Sequence, residues 1–145
     1  MKKLIILFMG LLLLCGCGPG LSDWSYDLLP KDYEIWRVNS QNIVLGRRSN
    51  SGLTHTVEPY ILEFRSNDRW IGAKRLVLDD SVTAQTNVRE LDTSDAEFYL
   101  VDTETDTVHG PYTQKEYENR LALLEVGTMG AWIETYPAPE GADFS

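Results

Sequence analysis

Apolar side chains in this chain recur mostly at every second position, in short runs broken by turn residues. Tyr60, Leu62 and Phe64 alternate with Ile61 and Glu63, and Phe98 and Leu100 alternate with Tyr99 and Val101. That period is the mark of β-strands whose two faces meet different surroundings. Further β-like runs occupy residues 33–38 and 43–47, joined by the turn Asn39-Ser40-Gln41-Asn42, with a loop over 48–52. Pro59 pushes the start of the next strand to an edge or a bulge, and Ser66-Asn67-Asp68 turns the chain back into a strand over 69–78. Residues 79–96 read as a long polar loop, and 102–106 as a tight turn between strands starting at 97 and 107. Only one stretch has helical spacing. Thr113 and Glu116 form a capping box, Tyr112 and Tyr117 stand at the staple positions, and Tyr117, Leu121 and Leu124 share one face, with Gly127 as the expected stop. The pattern predicts an α+β fold, mainly antiparallel sheet of about five or six short strands in meander order, with one C-terminal amphipathic helix packed on it.

The N-terminus follows other rules. Met1-Lys2-Lys3 is basic, and residues 4–14 (LIILFMGLLLL) carry no polar side chain. A bilayer-spanning helix needs about 20 apolar residues, so this run is short for a span and reads as a secretory leader. The junction Leu14-Cys15-Gly16-Cys17 resembles the lipobox of bacterial lipoproteins, with Leu three places before the acceptor and a small residue directly before it. Cys15 occupies a place where that pattern usually has Ala, Ser, Thr or Val. The resemblance implies cleavage after Gly16 and attachment of diacylglycerol to Cys17, whose thiol is the nucleophile. Each buried methylene is worth about 0.8 kcal/mol, so two or three acyl chains make a durable anchor. Gly18 after the acceptor implies outer-membrane sorting where the source has two membranes. The expected organisation is a leader over 1–16, a lipidated tether over 17–23, one globular domain over 24–136 and a frayed tail over 137–145.

Removing 16 of the 145 residues leaves 129, with 11 Lys and Arg against 22 Asp and Glu. The full chain has a net charge of −9 and the shortened one −11. Such an acidic balance argues against nucleic acid, which demands clustered cations. With Cys15 lost and Cys17 capped, a disulfide, a thiol nucleophile and a Cys-ligated zinc are all excluded.

Among chemistry-bearing residues, acidic side chains crowd residues 90–106, and Asp102, Glu104 and Asp106 imitate the first half of a calcium loop. Thr107 stands where that loop needs Gly, and Thr113 where it needs Glu. The two histidines, His55 and His109, are too few for a three-His metal site. An acid–base pair would have to come from residues distant in sequence, such as His109 with Glu97 or Asp102. No His-Glu-x-x-His, Gly-x-Ser-x-Gly or phosphate-cradling motif is present, and no cofactor is expected. Arg65, Arg69, Lys74 and Arg75 gather around Trp70 on one expected hairpin. That face would suit an anionic polymer or a lipid headgroup, or serve as an ordinary exposed sheet face. Aromatic residues offer material for a sugar-binding groove, but their alternation with aliphatics fits a core.

Three stretches carry a wider resemblance. They are Cys-Gly-Cys-Gly followed by Leu21-Ser22-Asp23-Trp24-Ser25-Tyr26-Asp27-Leu28, the strand Trp70-Ile71-Gly72-Ala73-Lys74, and Phe98-Tyr99-Leu100-Val101-Asp102 with Val108-His109-Gly110-Pro111-Tyr112-Thr113 and Glu116-Tyr117. In these the chain resembles a family of small bacterial lipoproteins without an assigned activity. The resemblance implies one anchored domain in the cell envelope and transfers no catalytic residue. The expected function is therefore non-catalytic binding or support at a membrane, through contact with an envelope protein. The alternatives are an acidic inhibitor or immunity-type lipoprotein for a basic protein, and a metal-assisted envelope hydrolase.

Overall fold

The computed structural model describes residues 23–83 and 85–144, so the leader, Cys17 and most of the tether lie outside the described residues. Among the described residues ten strands form two antiparallel five-stranded sheets. The α+β class holds, with more strands than the sequence led us to expect. Five strands make the first sheet: β1 (Trp24–Tyr26), β2 (Tyr33–Asn39), β3 (Asn42–Ser49), β4 (Gly52–Val57) and, from the far end of the chain, β10 (Asp143–Phe144). Its order is β10-β1-β2-β3-β4. The second sheet holds β5 (Ile61–Ser66), β6 (Trp70–Arg75), β7 (Glu97–Asp102), β8 (Thr107–Tyr112) and β9 (Ile133–Glu134), in the order β8-β7-β6-β5-β9. Within each sheet the sequence-consecutive strands pair as a meander, and β9 and β10 are added at the edges.

Side-chain amides and hydroxyls shape the turns. Asn39 Oδ1 accepts from the Gln41 amide at 2.9 Å, and Asn67 Oδ1 accepts from the amides of Arg69 and Trp70 at 3.0 and 2.8 Å. These local bonds replace ladder bonds where the chain reverses. Pro59 precedes β5, and the pairing of β5 with β6 slips between Ile61 and Glu63, the bulge expected there.

The period of two sorts side chains into two cores. Ile35, Ile43 and Leu45 of the first sheet meet Ile61, Phe64 and Ile71 of the second, all essentially solvent-free. The opposite face of the second sheet carries Trp70, Phe98 and Leu100, covered by Tyr117 and Val126. So β6 and β7 are buried on both sides: Ile71, Ala73 and Val101 face the first core, while Trp70, Phe98 and Leu100 face the second.

The cover of the second core is α1 (Gln114–Leu123). Its capping box is complete: the Glu116 amide donates to Thr113 Oγ1, and the Thr113 amide donates to Glu116 Oε2 at 2.8 Å. Tyr117 is buried against the sheet, where its hydroxyl sits over Gly72. The helix ends earlier than expected. Glu125, two residues before Gly127, takes the left-handed conformation at φ 50° that turns the chain out of the helix, and Gly127 follows with a second positive φ of 78°. The amides of Glu125 and Val126 donate to the carbonyls of Ala122 and Leu121, and Val126 is buried beside α1. The apolar demand of Val126 sets the stop, so a residue without glycine's freedom occupies the strained position.

Two other expectations change. Residues 137–145 are not a frayed tail up to Phe144: Trp24 pairs with Phe144 and Ser25 with Asp143, while Ala138 and Ala142 pack on the first core. The Pro, Gly and Ala content that resembles a loose end here supplies small side chains and a tight return. The 79–96 segment is irregular as expected, yet Val88 and Leu91 plug the first core and Gln41 Nε2 donates to the Val82 carbonyl at 2.9 Å.

Candidate functional site

The carboxylates of the β7–β8 turn are committed to arginines. Arg69 grips Asp102 with two bonds, Nε to Oδ1 at 2.9 Å and Nη2 to Oδ2 at 2.6 Å, and its Nη1 reaches Glu104 at 3.2 Å. Arg69 holds the Asp102 carboxyl at about 2, against the opposing push of burial and with help from the Glu104 amide. Asp106 faces another way. Tyr33 OH donates to its Oδ1 at 2.8 Å and Arg47 Nη1 to its Oδ2 at 2.6 Å, tying the turn to the first sheet. Burial, then the bond to Asp106, pushes the Tyr33 phenol up to about 12. Asp102, Glu104 and Asp106 thus serve as anchors of a hairpin tip. Among the described residues no group of three or more His, Cys, Asp or Glu is arranged to hold a metal ion.

The five hairpin residues do not form one exposed basic face. Trp70 is buried in the second core. Arg65 lies over the rings of Tyr117 and Trp132, at 5.3 and 4.4 Å, and its Nε donates to Tyr117 OH at 3.2 Å. Lys74 pairs with Glu63 at 3.1 Å beside the Phe98 ring. Arg75 points to the opposite face, donating to the Pro59 carbonyl at 2.8 Å and to Glu97 at 2.9 Å. A hairpin read as a string places these residues together; the alternation of the strand then divides them. Nor does His109 meet an acid, since Glu97 and Asp102 are taken by Arg75 and Arg69 and the His109 ring lies 6.0 Å from that of Trp70. His55 is exposed, 3.3 Å from Glu58.

Sequence reasoning missed Glu34, 5% exposed on the outer face of the first sheet. Arg48 holds it with two bonds at 2.5 and 2.8 Å, and the Trp36 indole N–H completes the set. These bonds, Arg48 first, lower its pKa despite burial. The only available signal was the order Glu-x-Trp on one strand with Arg on its neighbour.

Two adjoining cavities lie where the 79–96 loop crosses the second sheet. One, of about 350 Å³, is lined by Tyr60, Leu62 and Val88 together with Glu63, Lys74, Arg89 and Glu134. The other, of about 570 Å³, lies between residues 93–98 and the start of α1, and shares Lys74 and Thr93 with the first. In the smaller cavity the Arg89 guanidinium lies over the Tyr136 ring at 4.6 Å, and burial raises the pKa of the Tyr60 phenol. Arg89, Tyr60 and the pair Glu134 and Tyr136 come from three separated stretches and carry no shared pattern in the sequence. This is the concavity with unspent polar groups that a small ligand requires.

Fold and cavity together define an α+β domain of two antiparallel sheets, one helix and a charged recess under a long loop. The chain belongs to the DUF3997 family of proteins of unknown function, whose model matches residues 30–129. That span runs from the turn before β2 to just beyond α1, leaving β1, β9 and β10 outside it. No curated protein and no solved structure matches the chain.

Proposed function

We propose that this chain is a bacterial lipoprotein of the cell envelope. In this reading residues 1–16 are removed, Cys17 carries the acyl chains, and the domain faces outward as a non-catalytic binding or structural protein. Where the source has two membranes, the anchor lies in the outer one. The observation that carries the reading is Leu14-Cys15-Gly16-Cys17 behind an apolar run too short to span. The fold supports it in two ways. β1 starts at Trp24, so the seven residue steps from Cys17 reach at most about 25 Å when fully extended. That length would hold the first sheet close to a membrane. In addition, the carboxylates that a hydrolase would use at the β7–β8 turn are bound to Arg69, Arg47 and Tyr33. Mass spectrometry of the protein from its native membranes tests the proposal. The expected N-terminus is Cys17 bearing a diacylglyceryl thioether, with Cys17→Ser leaving the leader uncleaved; a free thiol or another start overturns it.

A second reading, an inhibitor or immunity-type lipoprotein for a basic protein, is favoured by how the charges are spent. Arg47, Arg48, Arg69, Lys74 and Arg75 each neutralise an acid within the fold. Asp79, Asp80, Asp92 and Asp95, all on the long loop, have no cationic partner among the described residues. An uncompensated negative surface speeds encounter with a basic protein and makes association salt-sensitive. Pull-down from native membranes at low and high salt should then yield a partner retained only at low salt; none at low salt counts against this reading.

A further inference from the structure

The smaller cavity under the 79–96 loop has four charged side chains on its walls, and they are not equivalent. Lys74 and Glu63 face each other across neighbouring strands and neutralise one another at 3.1 Å. Arg89 and Glu134 line the same cavity, and among the described residues neither has an ion-pair partner. One positive and one negative charge are therefore left unspent in about 350 Å³.

Arg89 is also held in place. Its backbone amide donates to Asn87 Oδ1 at 3.2 Å in a short turn anchored by buried Val88, and its guanidinium lies over Tyr136 at 4.6 Å. Stacking on a ring face leaves the in-plane N–H donors of a guanidinium free, in the fork that matches a carboxylate. Glu134 stands on β9, fixed to β5 by its pairing with Glu63. Tyr60, Leu62 and Val88 give the same cavity apolar lining.

We propose that this cavity binds a zwitterion of amino-acid to dipeptide size, with its carboxylate on Arg89, its ammonium on Glu134 and an apolar side chain against Tyr60, Leu62 and Val88. A simple anion meets Glu134 unpaired, and a simple cation meets Arg89 unpaired; only a ligand with both charges satisfies both walls. The volume is at the low end of the usual range for ligand pockets, about 300–1,000 Å³, which fits a small ligand. The inference rests on the domain being a binding module and is independent of the lipid on Cys17, which mass spectrometry decides separately.

The test is calorimetric titration of the full chain in detergent with alanyl-phenylalanine, its N-acetyl form and its C-terminal amide. The free dipeptide should bind, and either cap should weaken it about tenfold or more, the loss of one charge-assisted contact. Arg89→Gln should erase the penalty of amidation, and Glu134→Gln that of acetylation. Both side chains are exposed, so unchanged melting temperatures are expected for both variants. No binding of the free dipeptide at millimolar concentration, equal binding of all three forms, or an unaltered preference in either variant overturns the proposal.

Discussion

The cores on the two faces of the second sheet differ in make-up. Between the sheets a larger core mixes Ile, Leu and Val with Trp24, Tyr33, Tyr60 and the Tyr26–Phe64 ring pair at 5.0 Å, and Ile35, Ile43, Leu45, Ile61, Phe64 and Ile71 have no measurable exposure. Beneath α1 the chain places rings: Phe98 and Tyr117 at 5.4 Å, and Tyr117 and Trp132 at 5.9 Å, with the Arg65 guanidinium over two of them. The core between the sheets depends on excluding water, at about 1.5–3 kcal/mol for each fully buried side chain. The smaller core under α1 is mostly rings, so a larger share of its cohesion comes from ring–ring and cation–ring contacts, each worth about 0.5–1.5 kcal/mol. It therefore tolerates being partly open, as Trp132 and Leu124 are. One sheet thus carries a sealed side and a side capped by charge.

Four experiments press on this contrast. The largest effect belongs to the sealed side. Phe64→Ala leaves a void between two packed sheets and should cost about 3–5 kcal/mol in urea unfolding. A loss under about 1 kcal/mol would show that this core collapses as easily as an open one. On the capped side, Gly72→Ala would place a methyl group 2.2 Å from the buried Tyr117 hydroxyl, which a rigid ring cannot avoid without leaving its place. The expected cost is about 1–3 kcal/mol, with a change in tyrosine and tryptophan fluorescence that Phe64→Ala does not reproduce.

Acid comes next, because Asp102 sits beside Trp70 at the rim of the capped side, under Arg69. Its folded pKa, about 2, lies below the ordinary value of 3.8. Its contribution is therefore complete above about pH 4 and is lost as pH falls toward 2. About 1–2 kcal/mol should disappear over that window, and Asp102→Asn should flatten the same stretch of the stability–pH curve. The smallest effect is a gain. Glu125→Gly relieves a left-handed residue at the end of α1 and should stabilise by about 0.5–1 kcal/mol, read as a raised Tm.

The same contrast marks what could be read beforehand. Strands over the sealed core announce themselves by alternation, and the capping box of α1 by residues three apart, because both signals are local. β4 (GLTHTV) escaped notice since its pattern is mostly polar and exposed, and β9 and β10 since two residues hold no period. Those strands exist only because a neighbour offers backbone partners, which leaves no trace in composition. The cavity was illegible for the same reason: Tyr60, Arg89 and Glu134 converge through sheet order, whereas the hairpin cations, adjacent in sequence, are scattered by the pleat. Cys17 stood out in the sequence because the lipobox-like pattern around it is local and needs no fold to be read.

β1 is a three-residue strand gripped on one side by β2 and on the other by the chain's own last strand, with Trp24 paired to Arg37 and Phe144. Any tension arriving from the N-terminal side enters the domain at this splice. The first and last of the described strands therefore share one seam, and a pull on the first works directly against the last. The helix and the charged recess lie on the second sheet, away from that seam, but Trp24 of β1 belongs to the core between the sheets, so peeling this short ribbon opens that core first.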